Sequence, residues 1–190
     1  MTLTLPISSF DPTDYTRAEP GLQGLVDLVN WKVWKWNGDN HAIYDLPETS
    51  QDLQRLDFIS KDHPILPHLF ESRTRLLDNL SMSSDELLEA LLNRPSNADA
   101  YLDISSTLIK RCLRQATLNT AIVPVLCGSA IKHIGTELLL DYAGELLASP
   151  LDVSLEPQGR NPPLGMLAWK VTWDSRRGWM TFVRVYSGEL

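Results

Sequence analysis

Histidine and cysteine side chains are the first candidates for chemistry in this sequence, because they bind metals and act as acids, bases or nucleophiles. His63 and His68 are five positions apart, with prolines between and beside them. This spacing cannot form the i, i+4 pair with which a helix holds a metal ion. Neither Cys112 nor Cys127 has a second cysteine at close spacing. We expect structural or surface roles for these residues, and no metal site.

Phosphoryl transfer from a nucleotide needs a glycine-rich loop that ends in Gly-Lys-Ser or Gly-Lys-Thr. The sequence contains no Gly-Lys dipeptide and no Asn-Lys-x-Asp signature for a guanine base. Asp141 and Gly144 have the Asp-x-x-Gly spacing of a phosphate-sensing loop, but they lie inside a predicted amphipathic helix. The sequence therefore predicts no catalytic residue.

One cluster near the start of the sequence could instead contact another macromolecule. Trp31, Trp34 and Trp36 lie beside Lys32 and Lys35, which is a pattern typical of a base-stacking platform. The competing interpretation is core packing, because residues two positions apart share one face of a strand. We favour core packing.

Composition limits the class of protein. The sequence has 190 residues, a net charge of −7 and 43% hydrophobic residues, which is ordinary for a folded protein. The acidic balance argues against attraction of nucleic acid or anionic lipid to the whole surface. Two cysteines cannot form a disulfide framework, and we expect a reducing compartment. No apolar run approaches the ~20 residues of a membrane-spanning helix, and the start resembles neither a secretory signal nor a presequence.

The first elements that must position these residues are strands. Leu3 and Leu5 alternate with threonines and predict a short strand. The β-branched and aromatic residues of 22–36, the turn at 37–40 and the pair Ile43 and Tyr44 predict a hairpin or meander.

Helical periodicity follows. One predicted helix is lined by Phe70, Leu76, Leu77 and Leu80, and the next helix by Leu87, Leu88, Leu91 and Leu92. Ser83 and Glu86 have capping-box spacing at the start of that second helix. A clearer apolar stripe begins at Ile104 and consists of Leu108, Ile109, Cys112, Leu113 and Ala116, with Lys110, Arg111 and Arg114 on the opposite face.

The spacing of the apolar residues changes again after residue 120. Residues 121–126 form a short apolar run that predicts a buried strand, and Pro124 indicates an edge position because proline cannot donate to a central ladder. A small-residue turn at 127–130 leads to a helix. We expect that helix to bury the apolar residues Leu138, Leu139, Tyr142, Leu146 and Leu147.

The last part of the sequence predicts a separate β-structure. Residues 149–165 are rich in proline and glycine and predict a linker. Beyond it, alternation in 167–173 and a return strand over 181–186 predict a hairpin. Because a lone two-stranded hairpin is at best marginally stable, we interpret it as the opening of a larger β-domain.

Several stretches together resemble the translational GTPases of the elongation factor G type. Gly24–Val29 is similar to the strand that opens the inserted subdomain of that family, and Val123–Ala130 is similar to the strand and turn of its fifth guanine-nucleotide motif. Ala168–Val171, Arg177-Gly178 and Phe182–Gly188 resemble the first hairpin of its second domain. The stretches have the order and approximate spacing of the family.

The resemblance implies an α/β fold. Residues 1–148 would be the C-terminal part of a GTP-binding domain, including an inserted α+β subdomain at about 22–119. After the linker at 149–165, residues 166–190 would begin a β-barrel domain. The phosphate-binding loop of the family would lie before this chain, which would be an internal fragment of the parent protein.

The resemblance also implies a nucleotide contact at Gly128, Ser129 and Ala130. In the family a backbone amide of this turn donates to the guanine O6 and the serine braces the loop. The family commonly has Lys-Asn after Ser-Ala, whereas Lys132 is followed here by His133. A single amide contributes only ~1 kcal/mol, so GTP and Mg²⁺, which belong to the intact family member, are not expected to bind this chain tightly.

The amino-acid sequence of residues 120–130 is most similar to that of a mitochondrial branch of the family. The resemblance implies a protein that separates post-termination ribosomes together with the ribosome recycling factor. An elongation factor that drives translocation is the alternative within the family, and a non-catalytic helical adaptor that binds ribosomal stalk proteins is the alternative outside it. Lys110, Arg111 and Arg114 would be either a solvated helix face or a contact with ribosomal RNA or stalk proteins.

Overall fold

The computed structural model describes residues 1–16, 21–38, 40–94, 98–149, 152 and 163–188. The chain forms two compact units, Met1–Leu147 and Ala148–Leu190. Each unit is described separately. Within the described residues no helix is long and apolar enough to cross a membrane.

The first unit contains a four-stranded antiparallel sheet in the order β1-β2-β3-β4. Its strands are β1 (Thr4–Ile7), β2 (Gly24–Asp27), β3 (Lys32–Asn37) and β4 (Asn40–Asp45). This confirms the strand at the start of the sequence and the meander that follows it. The meander forms because β-branched and aromatic residues alternate on both sides of two tight turns.

The helices among the described residues of this unit are α1 (Leu66–Ser81), α2 (Asp85–Leu92), α3 (Ser106–Leu118) and α4 (Thr136–Leu146). Short 3₁₀ turns lie at Pro12–Thr16, Asp52–Arg55 and Ala98–Tyr101. The predicted capping box is wrong by one residue. Ser84, not Ser83, is the N-cap of α2, and its hydroxyl accepts from the Leu87 amide at 3.4 Å.

The core of this unit lies where the helices meet the sheet. Leu77 of α1, Leu87 of α2, and Ile109 and Leu113 of α3 are all fully buried. Val26 at the centre of β2 is fully buried as well. The helical stripes predicted for α1 and α3 are therefore confirmed, because they are the faces that pack inward. The stripe predicted for α2 is right for Leu87 and wrong for Leu88 and Leu92, which are 42% and 75% exposed.

The buried strand predicted over residues 121–126 is wrong in its burial. Within this range only Val125 forms a β-bridge, which is parallel and pairs it with Thr2. The Leu3 amide donates to the Val125 carbonyl at 2.9 Å, and the Val125 amide donates to the Met1 carbonyl at 2.8 Å. Val123 is 74% exposed and Val125 is 49% exposed. Pro124 has no amide proton to donate, so the ladder stays short, as expected of an edge.

The burial predicted for α4 is right for Leu138, Tyr142 and Leu146 and wrong for Leu139 and Leu147. Leu139 is exposed because it directly follows Leu138, and at 100° per residue it points away from the packed stripe. Leu147 lies beyond the last helical residue and has extended backbone angles.

The second unit is a hairpin of β5 (Gly165–Asp174) and β6 (Gly178–Ser187), paired in antiparallel fashion with irregularities near Gly165 and Ala168. It confirms the predicted hairpin. Most of the predicted linker at 149–165 lies outside the described residues. Mixed helices and antiparallel sheets confirm the α/β expectation at the level of class, whereas the division into a partial GTP-binding domain, an insert and a barrel remains a prediction.

Candidate functional site

The turn that follows residues 122–126 is closed by two reciprocal hydrogen bonds. The Ser129 amide donates to the Ile134 carbonyl at 2.9 Å, and the Ile134 amide donates to the Ser129 carbonyl at 3.0 Å. The Cys127 amide donates to the Thr4 hydroxyl at 2.9 Å, which ties the base of the turn to β1. The turn is thus a fixed loop rather than an open connection.

Two glycines make this closure possible. A Cβ on Gly128 would lie 2.6 Å from the Ile134 carbonyl oxygen, which is closer than real Cβ contacts. Gly135 has φ +80, in the left-handed region, and a Cβ there would lie 2.6 Å from Leu25 Cδ1. Substitution of either glycine would force the loop apart.

The tip of the turn is exposed to solvent. Gly128 and Ala130 are exposed. The Ala130 carbonyl accepts from the His133 amide at 3.4 Å, and within the described part of the chain no group accepts from the Ala130 amide. An exposed amide donor on a closed loop can donate to a carbonyl oxygen of a ligand.

The basic face of α3 is engaged within the first unit. Lys110 Nζ lies 2.8 Å from Glu145 of α4, and Arg111 is paired with Glu86 of α2. Arg114 donates to the backbone carbonyls of Glu145 at 2.7 Å and Leu147 at 3.2 Å. These cations therefore connect α3 to the C-terminal end of α4 and to α2.

A buried polar network lies beneath these elements, and the sequence analysis missed it. Asp27, fully buried at the end of β2, accepts from the Val29 and Asn30 amides at 2.9 and 3.0 Å and from the Asn30 side chain at 2.6 Å. The Tyr142 hydroxyl donates to the same carboxylate at 2.6 Å. Burial, and then the charge of Asp27, raise the pKa of Tyr142 far above its ordinary range. The sequence signal that could have revealed this network is Asp27, a lone aspartate within an apolar stretch.

Arg73 of α1 completes the polar interior. It is 1% exposed and donates to the carbonyls of Leu28, Val29 and Ile104. Desolvation lowers the pKa of Arg73 to about 10, although the nearby charge of Asp27 acts in the opposite direction. The side chain satisfies carbonyls at the turn between β2 and β3 and just before α3, so its role is to hold these segments together.

Comparison with known proteins places this geometry in a family, although no family model matches the chain. Ribosome-releasing factor 2, mitochondrial, from Vanderwaltozyma polyspora is 31% identical over 206 residues, which cover 98% of this chain and 24% of that protein. Elongation factor G from Ureaplasma parvum serovar 3 is 30% identical over 188 residues, which cover 91% and 24%. The chain belongs to the translational GTPases of the elongation factor G type. It spans about a quarter of the length of these relatives.

Two further comparisons give another relative and a similar fold. Ribosome-releasing factor 2, mitochondrial, from Candida dubliniensis is 29% identical and covers 88% of the chain. A crystal structure of a Thermus thermophilus protein superimposes with a TM-score of 0.62 over 98% of this chain and 23% of that one, at 19% identity. The second similarity establishes the fold alone.

The other residues considered as candidates for chemistry, His63 and Asp141, lie in positions that suit structural roles. In His63, which is buried, Nε2 lies 2.7 Å from the Ser9 carbonyl and Nδ1 accepts from the Ile65 amide at 3.1 Å. Asp141 is exposed within α4. Among the residues that the structure describes, no group of three or more His, Cys, Asp or Glu side chains could hold a metal ion.

Proposed function

We propose that this chain is a segment of a translational GTPase that uses GTP on the mitochondrial ribosome to separate the subunits after termination, together with the ribosome recycling factor. Support comes from the names of two relatives from yeasts, Vanderwaltozyma polyspora and Candida dubliniensis, each a mitochondrial ribosome-releasing factor 2. The same names support a mitochondrial location.

The observation that carries the proposal is the closed turn with the exposed residue Ala130, whose amide has no acceptor within the described part of the chain. Gly128 permits close backbone approach, and the Ser129 and Ile134 pair fixes the direction of the loop. We propose that the Ala130 amide donates to the guanine O6 of GTP, with Ser129 bracing the loop. In the intact protein, hydrolysis of a phosphoanhydride bond of GTP would drive the rearrangement of the ribosome.

The sequence holds no Gly-Lys dipeptide that could cradle the phosphates. We therefore expect the parent protein to bind the phosphates and Mg²⁺ through residues other than those of this chain. One amide contributes only ~1 kcal/mol, so the chain by itself would bind GTP weakly and would not hydrolyse it.

Isothermal titration of the purified chain with GTP, combined with a phosphate-release assay, tests this expectation. The proposal expects no saturable binding at micromolar concentrations and phosphate release equal to the blank. Micromolar binding together with release above the blank would show that the chain holds a complete nucleotide site, which contradicts the proposal.

The basic face of α3 is the proposed contact with the ribosome. Arg111 keeps 61% of its side chain exposed although it pairs with Glu86, so an acidic stalk protein could compete for it. Pull-down of stalk proteins should weaken when Arg111 and Arg114 are both replaced by Glu. The matched control is Arg75→Glu, because Arg75 is similarly exposed and pairs with Glu71 on α1. Equal retention by both variants would remove this contact from the proposal.

A translocating elongation factor is the second candidate within the family, and the relative from Ureaplasma parvum supports it. A helical adaptor that binds stalk proteins without hydrolysis is the third candidate. Stalk binding by the isolated chain at the strength of an intact relative would favour the adaptor, whereas stimulation of subunit splitting only by a longer protein that contains this chain would favour the first proposal.

A further inference from the structure

The turn proposed to contact guanine is attached to the sheet at a point where the backbone ladder stops. Val125 is bonded on both sides, since the Leu3 amide donates to its carbonyl at 2.9 Å and its own amide donates to the Met1 carbonyl at 2.8 Å. In a regular parallel ladder the Cys127 amide would come next and would donate to the Leu3 carbonyl. That carbonyl accepts from the Leu28 amide at 2.9 Å instead. The Cys127 amide therefore needs another acceptor.

The Thr4 hydroxyl is that acceptor. It lies 2.9 Å from the Cys127 nitrogen, and the Cys127 sulfur lies 3.2 Å from the same hydroxyl and 3.4 Å from the Thr4 carbonyl oxygen. Thr4 is 1% exposed, so water does not compete for these bonds. Burial raises the pKa of the Cys127 thiol, so the thiol stays protonated at neutral pH and can donate to the carbonyl. Two residues 123 positions apart are thus joined by several polar contacts.

Cys127 is the residue from which the turn departs. Gly128 follows it directly, and a Cβ on Gly135 would lie 3.2 Å from the Cys127 carbonyl oxygen and 3.6 Å from Gly128 Cα. The two ends of the turn therefore pack against each other at the residue that Thr4 holds. The reciprocal backbone bonds across the turn determine its shape, whereas Thr4 determines where on the sheet the turn is attached.

The helix after the turn is held by the neighbouring position of the same sheet. Thr4 of β1 is directly opposite Asp27 of β2 in the register, and Asp27 accepts from the Tyr142 hydroxyl of α4 at 2.6 Å. α4 begins at Thr136, just after the turn. One cross-strand pair thus holds the chain before the turn through Cys127 and after the turn through Tyr142. Attachment on both sides keeps a short loop in one orientation.

We propose that Thr4 is a positioning residue for the guanine contact. Its hydroxyl fixes Cys127 and, through the chain that follows, the direction of the Ala130 amide, and Thr4 would not itself touch the nucleoside. This role rests on the proposed function of the turn. A donor that is already oriented loses less conformational entropy when it binds. Loss of the Thr4 hydroxyl should therefore weaken guanosine binding without changing any group that contacts the nucleoside.

Two substitutions separate the hydroxyl of Thr4 from the rest of its side chain. Thr4→Val keeps the shape and removes the acceptor, whereas Thr4→Ser keeps the hydroxyl. By NMR on the full chain, the amides of Cys127, Ser129 and Ile134 should exchange with solvent about tenfold faster in the valine variant, because a hydrogen bond that closes the loop is lost. Guanosine titration, followed at the Ala130 amide, should show binding at least about threefold weaker. Thr4→Ser should restore both values.

Thr117→Val is the matched control, because the Thr117 hydroxyl donates to the Leu113 carbonyl at 2.7 Å within α3. It should leave amide exchange at the turn and guanosine binding as they are in the unchanged chain. Slow exchange at the buried Leu77 reports whether the first unit stays folded in each variant. Should Thr4→Val lose that protection, Thr4→Cys takes its place, because a thiol is only a weak acceptor.

The exchange rates are measured without nucleoside, so they test the attachment separately from the guanine contact. Unchanged exchange at the turn in Thr4→Val would overturn the positioning role. Faster exchange with guanosine binding of unchanged strength would overturn it as well, because the hydroxyl would then stabilise the turn without orienting the donor. An Ala130 amide that ignores guanosine already in the unchanged chain would refute the proposed function of the turn, and the positioning role would fail with it even if the exchange rates followed the hydroxyl.

Discussion

The two units of the chain place their apolar residues in opposite ways. In the first unit, leucines of three helices and the centre of β2 are fully buried around the Asp27 network. In the hairpin of the second unit, Trp169, Trp173 and Trp179 are 63%, 61% and 73% exposed. Both regions have clear periodicity, so the pattern of apolar residues does not distinguish them.

The difference lies in the number of layers. Helices and a sheet can cover each other, whereas the two strands described in the second unit have two faces and leave many of their large apolar side chains exposed. Stability should therefore reside in the first unit, where the buried carboxylate of Asp27 also accepts several hydrogen bonds. Substitutions of equal size in the two units should have very different effects.

The largest effect is expected from Asp27→Ala. The change leaves the Val29 and Asn30 amides and the Tyr142 hydroxyl without their buried acceptor, and it removes the charge near Arg73. We expect the free energy of unfolding of the first unit to fall by about 3 kcal/mol or more. Chemical denaturation followed by the helical circular dichroism signal measures this. The control is Asp57→Ala at an exposed site, and an equal loss in both variants would refute the structural role of the network.

Leu77→Ala and Val171→Ala compare the two units directly. Leu77 is fully buried, and Val171 is 61% exposed in β5. We expect a loss of about 3 kcal/mol for Leu77→Ala, from lost burial and a residual cavity, and at most about 0.5 kcal/mol for Val171→Ala. Hydrogen exchange should likewise be slow in α1 and α3 and fast in the hairpin. Equally slow exchange over 169–186 would break the comparison.

Tyr142→Phe tests the network through pH. The raised pKa of Tyr142 means that its stabilisation is fully present below the ordinary tyrosine pKa of about 10 and is lost as pH rises above it, because the unfolded phenol ionises first. The advantage of the unchanged chain over Tyr142→Phe should be about 1–2 kcal/mol at neutral pH and should shrink between about pH 10 and 11. If the difference in stability between the unchanged chain and Tyr142→Phe stayed constant across this pH range, the raised pKa of Tyr142 would be contradicted.

Arg114→Ala is expected to have a smaller effect than the substitutions in the core and in the buried network. The guanidinium donates to two carbonyls at the C-terminal end of α4, where a cation also interacts favourably with the helix dipole. A loss of about 1 kcal/mol is expected by the same denaturation measurement. Arg75→Ala, which breaks an exposed pair with Glu71, should cost less. If Arg75→Ala lowers the free energy of unfolding more than Arg114→Ala does, the contact of Arg114 with α4 does not stabilise the unit.

Sequence periodicity was sufficient to predict elements whose own residues determine them. The stripe of Ile109, Cys112 and Leu113 is buried as predicted, and the meander around Asn37–Asn40 forms. Both depend on local spacing and on turn chemistry. Burial at Val123, Val125 and Leu139 could not be predicted in the same way, because it depends on which neighbour covers each face.

The candidate site was only partly predictable. The turn at Gly128–Ala130 was found from its residues, but its closure through Ile134 depends on a bond between residues five apart in a loop without regular period. Asp27 and Tyr142 are 115 positions apart in sequence, so no local pattern could pair them. For the same reason the engagement of Lys110 and Arg114 by the end of α4 was not predicted.

Backbone NMR of the isotopically labelled chain tests the central claim most directly. Guanosine and adenosine differ at the six position of the purine, where guanine offers an acceptor and adenine a donor. Titration with guanosine at millimolar concentration should shift the Ala130 amide resonance, because a single hydrogen bond supports only weak affinity, and adenosine should leave it in place. An Ala130 amide that does not respond to guanosine, or that responds equally to both nucleosides, would contradict the account.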